Sequence, residues 1–200
     1  NDILARFVCK GDYSLGEVKI TSSPSMDIQA ASNFERYLYY LMDCDPVRTK
    51  DLMEEFAKEG KIDLSGQHDQ IRRDFVAATV SEQDVSATIA AFYKEHDYIL
   101  DPHTAVGVKA AQKFKAVGVP MVCLATAHPA KFGAVVEQAI GKTPHIPAAL
   151  AGIMEKPARC ELMEADKSTI QAFVAAHAIF PNAVQGVPPE TSLDKTERLL

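Results

Sequence analysis

Val119-Pro-Met-Val-Cys-Leu-Ala-Thr-Ala-His-Pro-Ala-Lys-Phe132 reads as a buried strand that ends in a polar turn and runs straight into a helix. Residues 119–124 form a short apolar run without alternation, the pattern of a strand covered on both faces. Pro129 suits a first helical turn, where its missing N–H leaves nothing unpaired. Between them, Thr126 and His128 fall at the carboxyl end of the expected strand, which is where open parallel sheets bind ligands. Thr126 is therefore the first candidate for contact with a ligand. By position alone, an ordinary strand–helix turn with a capping hydroxyl explains the segment equally well.

On either side of this stretch the chain alternates helix and strand patterns. Asn1 or Asp2 can cap a helix carrying Ile3, Leu4, Phe7 and Val8 on one face. Residues 18–21 alternate as a short strand would. The loop Ser22-Ser-Pro-Ser25 then leads to a helix over about residues 26–42, with Phe34, Leu38 and Leu41 inward. Pro46 opens another helix that ends near Gly60. Residues 75–80 read as a second buried strand, and Ser81-Glu-Gln-Asp84 as the start of a helix with Val85 and Ile89 on its buried stripe. Residues 98–100 lead into Asp101-Pro-His-Thr104 and a helix that continues through Val108, Phe114 and Val117 to Gly118. Beyond Gly141 prolines punctuate short helical pieces. A last helix spans about residues 167–178, and residues 181–189 read as a surface run.

Helix and strand in alternation indicate an α/β fold: part of a doubly wound, mostly parallel sheet with helices on both faces. Three strands are thin cover for so many helices, so the sheet is expected to be incomplete in this chain. The abrupt helical start, without methionine, agrees with that expectation.

The bulk numbers exclude several classes. No apolar run approaches the roughly 20 residues that span a bilayer, so no membrane partner is expected. A formal charge of −6 over 200 residues argues against nucleic acid, whose phosphates demand a basic face. Cys9, Cys44, Cys123 and Cys160 are widely spaced and read as structural thiols in a reducing cytoplasm, with Cys9 and Cys123 in apolar contexts. No metal site is expected, because zinc would need clustered ligands. There is no dinucleotide or P-loop glycine pattern, no nucleophile elbow and no H-E-x-x-H motif.

Two further groups could carry chemistry. Asp101-Pro-His-Thr104 stands at a helix start, where Asp101 or Thr104 can be a plain cap and His103 a packed or solvated ring. Alternatively the helix N-terminus meets the Thr126 loop and offers N–H groups and a histidine to a polar ligand. Asn33 and Arg36, one turn apart, either form a solvated face or reach together toward an anion. Lys131 follows Pro129 closely, but nothing nearby explains a lowered pKa, so it is not read as a Schiff-base lysine.

Several of these segments together resemble the threonine synthase family. They are Asn1-Asp-Ile-Leu4, Ser23-Pro-Ser-Met-Asp-Ile28 with Ser32-Asn-Phe-Glu-Arg36, Leu100-Asp-Pro-His-Thr-Ala-Val-Gly107, and Leu124-Ala-Thr-Ala-His-Pro-Ala-Lys-Phe132. They follow the family's order over roughly residues 1–140. The resemblance implies the C-terminal part of a pyridoxal 5'-phosphate enzyme of the tryptophan-synthase-β-like fold type. Residues 1–140 would belong to its large cofactor-binding domain and residues 141–200 to a mostly helical extension. The implied reaction is that of a lyase of threonine biosynthesis, a carbon–oxygen lyase acting on phosphates, which converts O-phosphohomoserine and water to threonine and phosphate. The resemblance also implies that the cofactor's lysine and its phosphate-binding glycine loop lie upstream, so that the chain needs the N-terminal part of its own protein. On this reading Thr126 bonds the pyridine nitrogen, where other pyridoxal enzymes use aspartate. Asp101, His103, Thr104, His128, Asn33 and Arg36 are possible neighbours of the site. Threonine dehydratase, another pyridoxal-phosphate replacement or elimination enzyme, and a non-catalytic protein that binds phosphorylated ligands are the alternatives.

Overall fold

The computed structural model of the chain describes residues 1–178. Asn1–Ala151 form one compact unit, and a second begins at Gly152. Helix α1 (Ile3–Lys10) buries Ile3 and Phe7, which lie one turn apart, and ends at Gly11 in the left-handed region at φ 71°. A Cβ on Gly11 would also lie 3.3 Å from Ser65 Cα, so both the turn and the close approach require glycine. That approach lets strand β1 (Asp12–Ser14) pair antiparallel with strand β2 (Lys61–Asp63), with Tyr13 opposite Ile62.

Tyr13 and Ile62 point into the first core. Helix α2 (Phe34–Leu41) and helix α3 (Pro46–Glu59) close over it, and Asp45 caps α3 by accepting the N–H groups of Val47 and Arg48. Tyr13 stacks on Phe34 at 4.3 Å, and Phe7 meets Phe34 edge-on at 4.6 Å. Each such pair contributes about 0.5–1.5 kcal/mol beyond its area burial. Arg6 fastens α1 to β1 by donating to Asp12 at 2.6 Å and to the Ser14 carbonyl at 2.6 Å. Helix α4 (His68–Asp74) adds Ile71 to the same core.

A second core lies among helix α5 (Glu82–His96), helix α6 (Pro102–Gln112) and helix α7 (Gly133–Ile140). Val85, Ile89, Leu100, Ala105 and Val108 are buried in it, with Ala139 and Ile140 against them. Helix α5 starts at a capping box between Ser81 and Asp84. In the second unit, helix α8 (Lys167–His177) is capped by Asp166. No described helix is long and apolar enough to cross a membrane.

The three apolar runs expected as strands take another form. Residues 119–124, 75–80 and 18–21 have no ladder partner among the described residues, where the sheet consists of β1 and β2 alone. Leu124 is 78% exposed and Ile20 94%. The expected burial of residues 119–124 on both faces is therefore not met within this chain. A central strand must share its N–H and C=O groups with neighbours on both edges, and none of the described residues supplies them.

Smaller differences have local causes. The helix expected from Met26 begins only at Phe34, after a single tight turn at Pro24–Met26. The Asp27 carboxylate accepts the N–H and the hydroxyl of Thr21, and such side-chain bonds compete with helix formation. Helix α6 stops at Gln112 rather than running through Val117, which is fully exposed and gains nothing from continuing. All four cysteines are exposed, so the expectation of structural thiols at Cys9 and Cys123 is corrected with the strand that was to bury Cys123. The expected surface run at residues 181–189 lies outside the described residues.

Candidate active site

The amino end of α6 is built by Asp101. Pro102 at the first helical position fixes φ without needing an acceptor, and Asp101, only 2% exposed, caps the helix behind it. Its Oδ1 accepts the N–H of His103 at 2.9 Å and that of Thr104 at 3.3 Å. Its Oδ2 accepts the Thr104 hydroxyl in a short hydrogen bond. The positive end of the helix dipole favours the carboxylate at this position.

The same carboxylate orients His103. Nδ1 lies 3.2 Å from Asp101 Oδ1, so in the neutral ring the proton sits on Nδ1 and Nε2 keeps its lone pair. Nε2 is buried and has no partner among the described residues. The ring packs against Phe132 with centroids 4.8 Å apart. Burial opposes ionisation of Asp27, but the Thr21 hydrogen bonds prevail and hold its carboxyl below the usual range.

Thr104 links this helix start to the stretch at residues 119–132. Its Oγ accepts the N–H of Thr126 at 3.2 Å. Among the described residues this is the one hydrogen bond that ties residues 120–127 to another element. The Thr126 side chain is exposed, and its hydroxyl has no partner among the described residues. The structure thus brings Asp101, His103, Thr104 and Thr126 together.

His128 does a different job. It is exposed and caps the short turn Pro129–Phe132, its Nδ1 accepting the Ala130 N–H at 3.1 Å. Pro129 holds the first position of that turn, as the sequence indicated. Lys131 is exposed, with Nζ 5.9 Å from the Phe132 ring centre. Asn33 and Arg36 are exposed and do not join the cluster. With Tyr40 and Lys50 they line a shallow depression of about 640 Å³ between α2 and α3.

The sequence reading missed the Thr104–Thr126 bond, the Phe132 contact and Asp27. Asp27 could have been flagged as an acid in a Ser/Pro-rich loop with a threonine nearby. It stands on a largely apolar groove of about 580 Å³, walled by Leu4, Val8, Val76, Val80 and Val106. Among the described residues no His, Cys, Asp and Glu cluster could hold a metal. What the Asp101 cluster offers is a fixed, neutral and outward-facing hydroxyl at Thr126, suited to a polar edge of a ligand rather than to nucleophilic attack.

The chain is similar to known proteins along most of its length. The family model described as "Threonine synthase, C-terminal" matches residues 104–174, which include Thr104, Thr126 and His128. Threonine synthase of Pseudomonas aeruginosa is 40% identical over 180 residues, covering 88% of this chain and 38% of the relative. In the solved structures, PLP-bound threonine synthase from Brucella melitensis aligns with a TM-score of 0.77 at 36% identity, over 88% of this chain and 38% of that one. Yeast threonine synthase aligns with a TM-score of 0.72 at 30% identity, over 87% of this chain and 40% of that one. The chain therefore spans less than half the length of the relatives it matches.

Proposed function

Because the chain is homologous to the C-terminal part of the threonine synthases, we propose that it is the C-terminal part of an enzyme that converts O-phospho-L-homoserine and water to L-threonine and phosphate. The enzyme would be a carbon–oxygen lyase acting on phosphates, dependent on pyridoxal 5'-phosphate and cytoplasmic. The observation that carries the reading is the alignment of 88% of this chain with a PLP-bound threonine synthase at a TM-score of 0.77. Residues 1–140 would belong to the cofactor-binding domain, and residues 141–200 would extend it.

The residues present fit a pyridoxal ring. Thr126 offers an exposed hydroxyl without a partner among the described residues, on a backbone held by Thr104. That hydroxyl is the group that would meet the ring nitrogen, and a neutral alcohol does not hold a proton there as a carboxylate would. Pyridoxal phosphate, when bound, supplies the electron sink for carbanion chemistry at the substrate's Cα and Cβ. Against a weaker sink, proton transfer by a lysine outside this chain must do more of the work. His103 and Thr104 stand beside Thr126, and the buried Asp101 fixes both.

Phosphate release from O-phosphohomoserine by the full-length protein tests the reading. Turnover that disappears when the cofactor is stripped and returns when it is added is the expected result. A full-length protein that binds the cofactor yet releases no phosphate would instead favour the non-catalytic alternative.

A further inference from the structure

We infer that Asp101 and Thr104 are positioning residues that set the place of Thr126, with Asp101 acting through the Thr104 hydroxyl. The inference rests on the reading of Thr126 as a cofactor contact and adds how that contact is held.

One hydroxyl carries a fixed number of donors and acceptors. Thr104 Oγ has one proton and two lone pairs. Asp101 Oδ2 takes the proton, so the lone pairs are what remains for other partners. The N–H of Thr126 takes one of them at 3.2 Å. Had the acceptor at Asp101 been a donor instead, the hydroxyl proton would have to find another direction, and the Thr126 amide would compete with it. The carboxylate thus fixes the polarity of a bond it does not itself make.

Burial makes this arrangement stiff. Asp101 is 2% and Thr104 5% exposed, so water does not replace either partner cheaply. The Asp101 carboxylate is held from four sides, by the N–H groups of His103 and Thr104, by His103 Nδ1 and by the Thr104 hydroxyl. On the far side of Thr126, Phe132 packs on the His103 ring, so the turn is pinned at two points of the same helix end. The residues between have no ladder partner within the described chain, and the hydrogen bond from the Thr126 N–H to Thr104 Oγ is what locates Thr126 against α6.

The test compares Thr104→Val, Thr104→Ser, Asp101→Asn and Thr126→Val in the full-length protein. Valine keeps the shape of threonine and removes the acceptor. Thr104→Val should lower kcat on the order of tenfold while changing KM little, and serine should restore it. In the protein stripped of cofactor, backbone hydrogen exchange at Thr126 should quicken in Thr104→Val and return to the native rate in Thr104→Ser. Cofactor titration should show weaker binding in Thr104→Val and, less severely, in Asp101→Asn, which keeps the cap but removes the acceptor for the hydroxyl proton. If Thr104→Val is not recovered folded, Asp101→Asn carries the comparison with the same readouts. The inference is overturned if Thr126→Val is impaired while Thr104→Val and Asp101→Asn bind cofactor, turn over and exchange as the native protein does. If Thr126→Val is itself unimpaired, the inference falls together with the reading it rests on.

Discussion

The amide of Thr126 donates to the hydroxyl of Thr104 at 3.2 Å, across 22 residues of sequence. The bond leaves the Thr126 side chain free to face outward while its backbone is tied to a buried helix start. A main chain fixed from behind and a hydroxyl left without a partner are what a recognition residue needs.

On the proposed reading, replacing Thr126 with valine in the full-length protein should cost about 1–3 kcal/mol in cofactor binding or in turnover, because a buried ring nitrogen would lose its partner. Thr126→Ser should be much milder, since the hydroxyl survives. The measurements are a cofactor titration and steady-state kinetics on both variants. Equal binding and turnover in Thr126→Val would reduce Thr126 to a structural turn residue.

The 200 residues expressed alone should release no phosphate from O-phosphohomoserine. The reading places the lysine that bonds the cofactor outside this chain, and Lys131 stands exposed on the surface. The same preparation should bind a dye for apolar surface, because Leu124, Val122 and Ile20 are 78%, 79% and 94% exposed. Phosphate release above a protein-free control would refute the expectation.

The capped helices were legible because their signals are local. Asp45-Pro46, Ser81 to Asp84 and Asp101-Pro102 each place an acceptor beside free N–H groups, and all three helices start where those signals stand. The helix start at Asp101 was legible for the same reason, while its approach to Thr126 was one of two readings the sequence left open. Strand readings at residues 18–21, 75–80 and 119–124 failed within the chain because apolar pattern records what a segment is suited to face. It does not record whether the facing strands are present. The pair β1 and β2, three residues each, was missed because such short strands carry too little alternation to be seen. Burial of Asp27 in hydrogen bonds to Thr21 depended on a loop conformation that no spacing rule encodes.

Asp166 gives a pH test of the second unit. Hydrogen bonds from the Ser168 hydroxyl, then from the N–H and hydroxyl of Thr169, lower its carboxyl from the ordinary 3.8 to about 2. A carboxyl depressed in the folded state contributes stability that is fully present above its unfolded pKa and is lost as pH falls through the folded one. In the folded protein the Asp166 carboxylate should stay ionised as the pH drops through 3.8, and the stability its cap lends α8 should erode between 3.8 and about 2. A carbon-detected NMR titration of Asp166 reads this directly, and a midpoint at the ordinary value would show that the cap is not formed in solution.

The last expectation concerns residues 119–124. Their unbroken apolar run suits a strand covered on both faces, yet here it is unpaired, with Met121 at 45% and Val122 at 79% exposure. Solvent contact of this kind is unfavourable by about 25 cal/mol for each Å² of apolar surface, so the segment gains by acquiring neighbours. In the full-length protein, strands from outside this chain should flank it, and its amides should become among the slowest to exchange with deuterium. In the isolated chain the same amides should exchange quickly, while that of Thr126, just beyond the segment, should be slowed by its acceptor on Thr104. Peptide-level hydrogen exchange on both proteins separates the two cases. Fast exchange of residues 119–124 in the full-length protein would mean that the apolar run is a surface segment, and that Thr126 is displayed by the Thr104 bond alone.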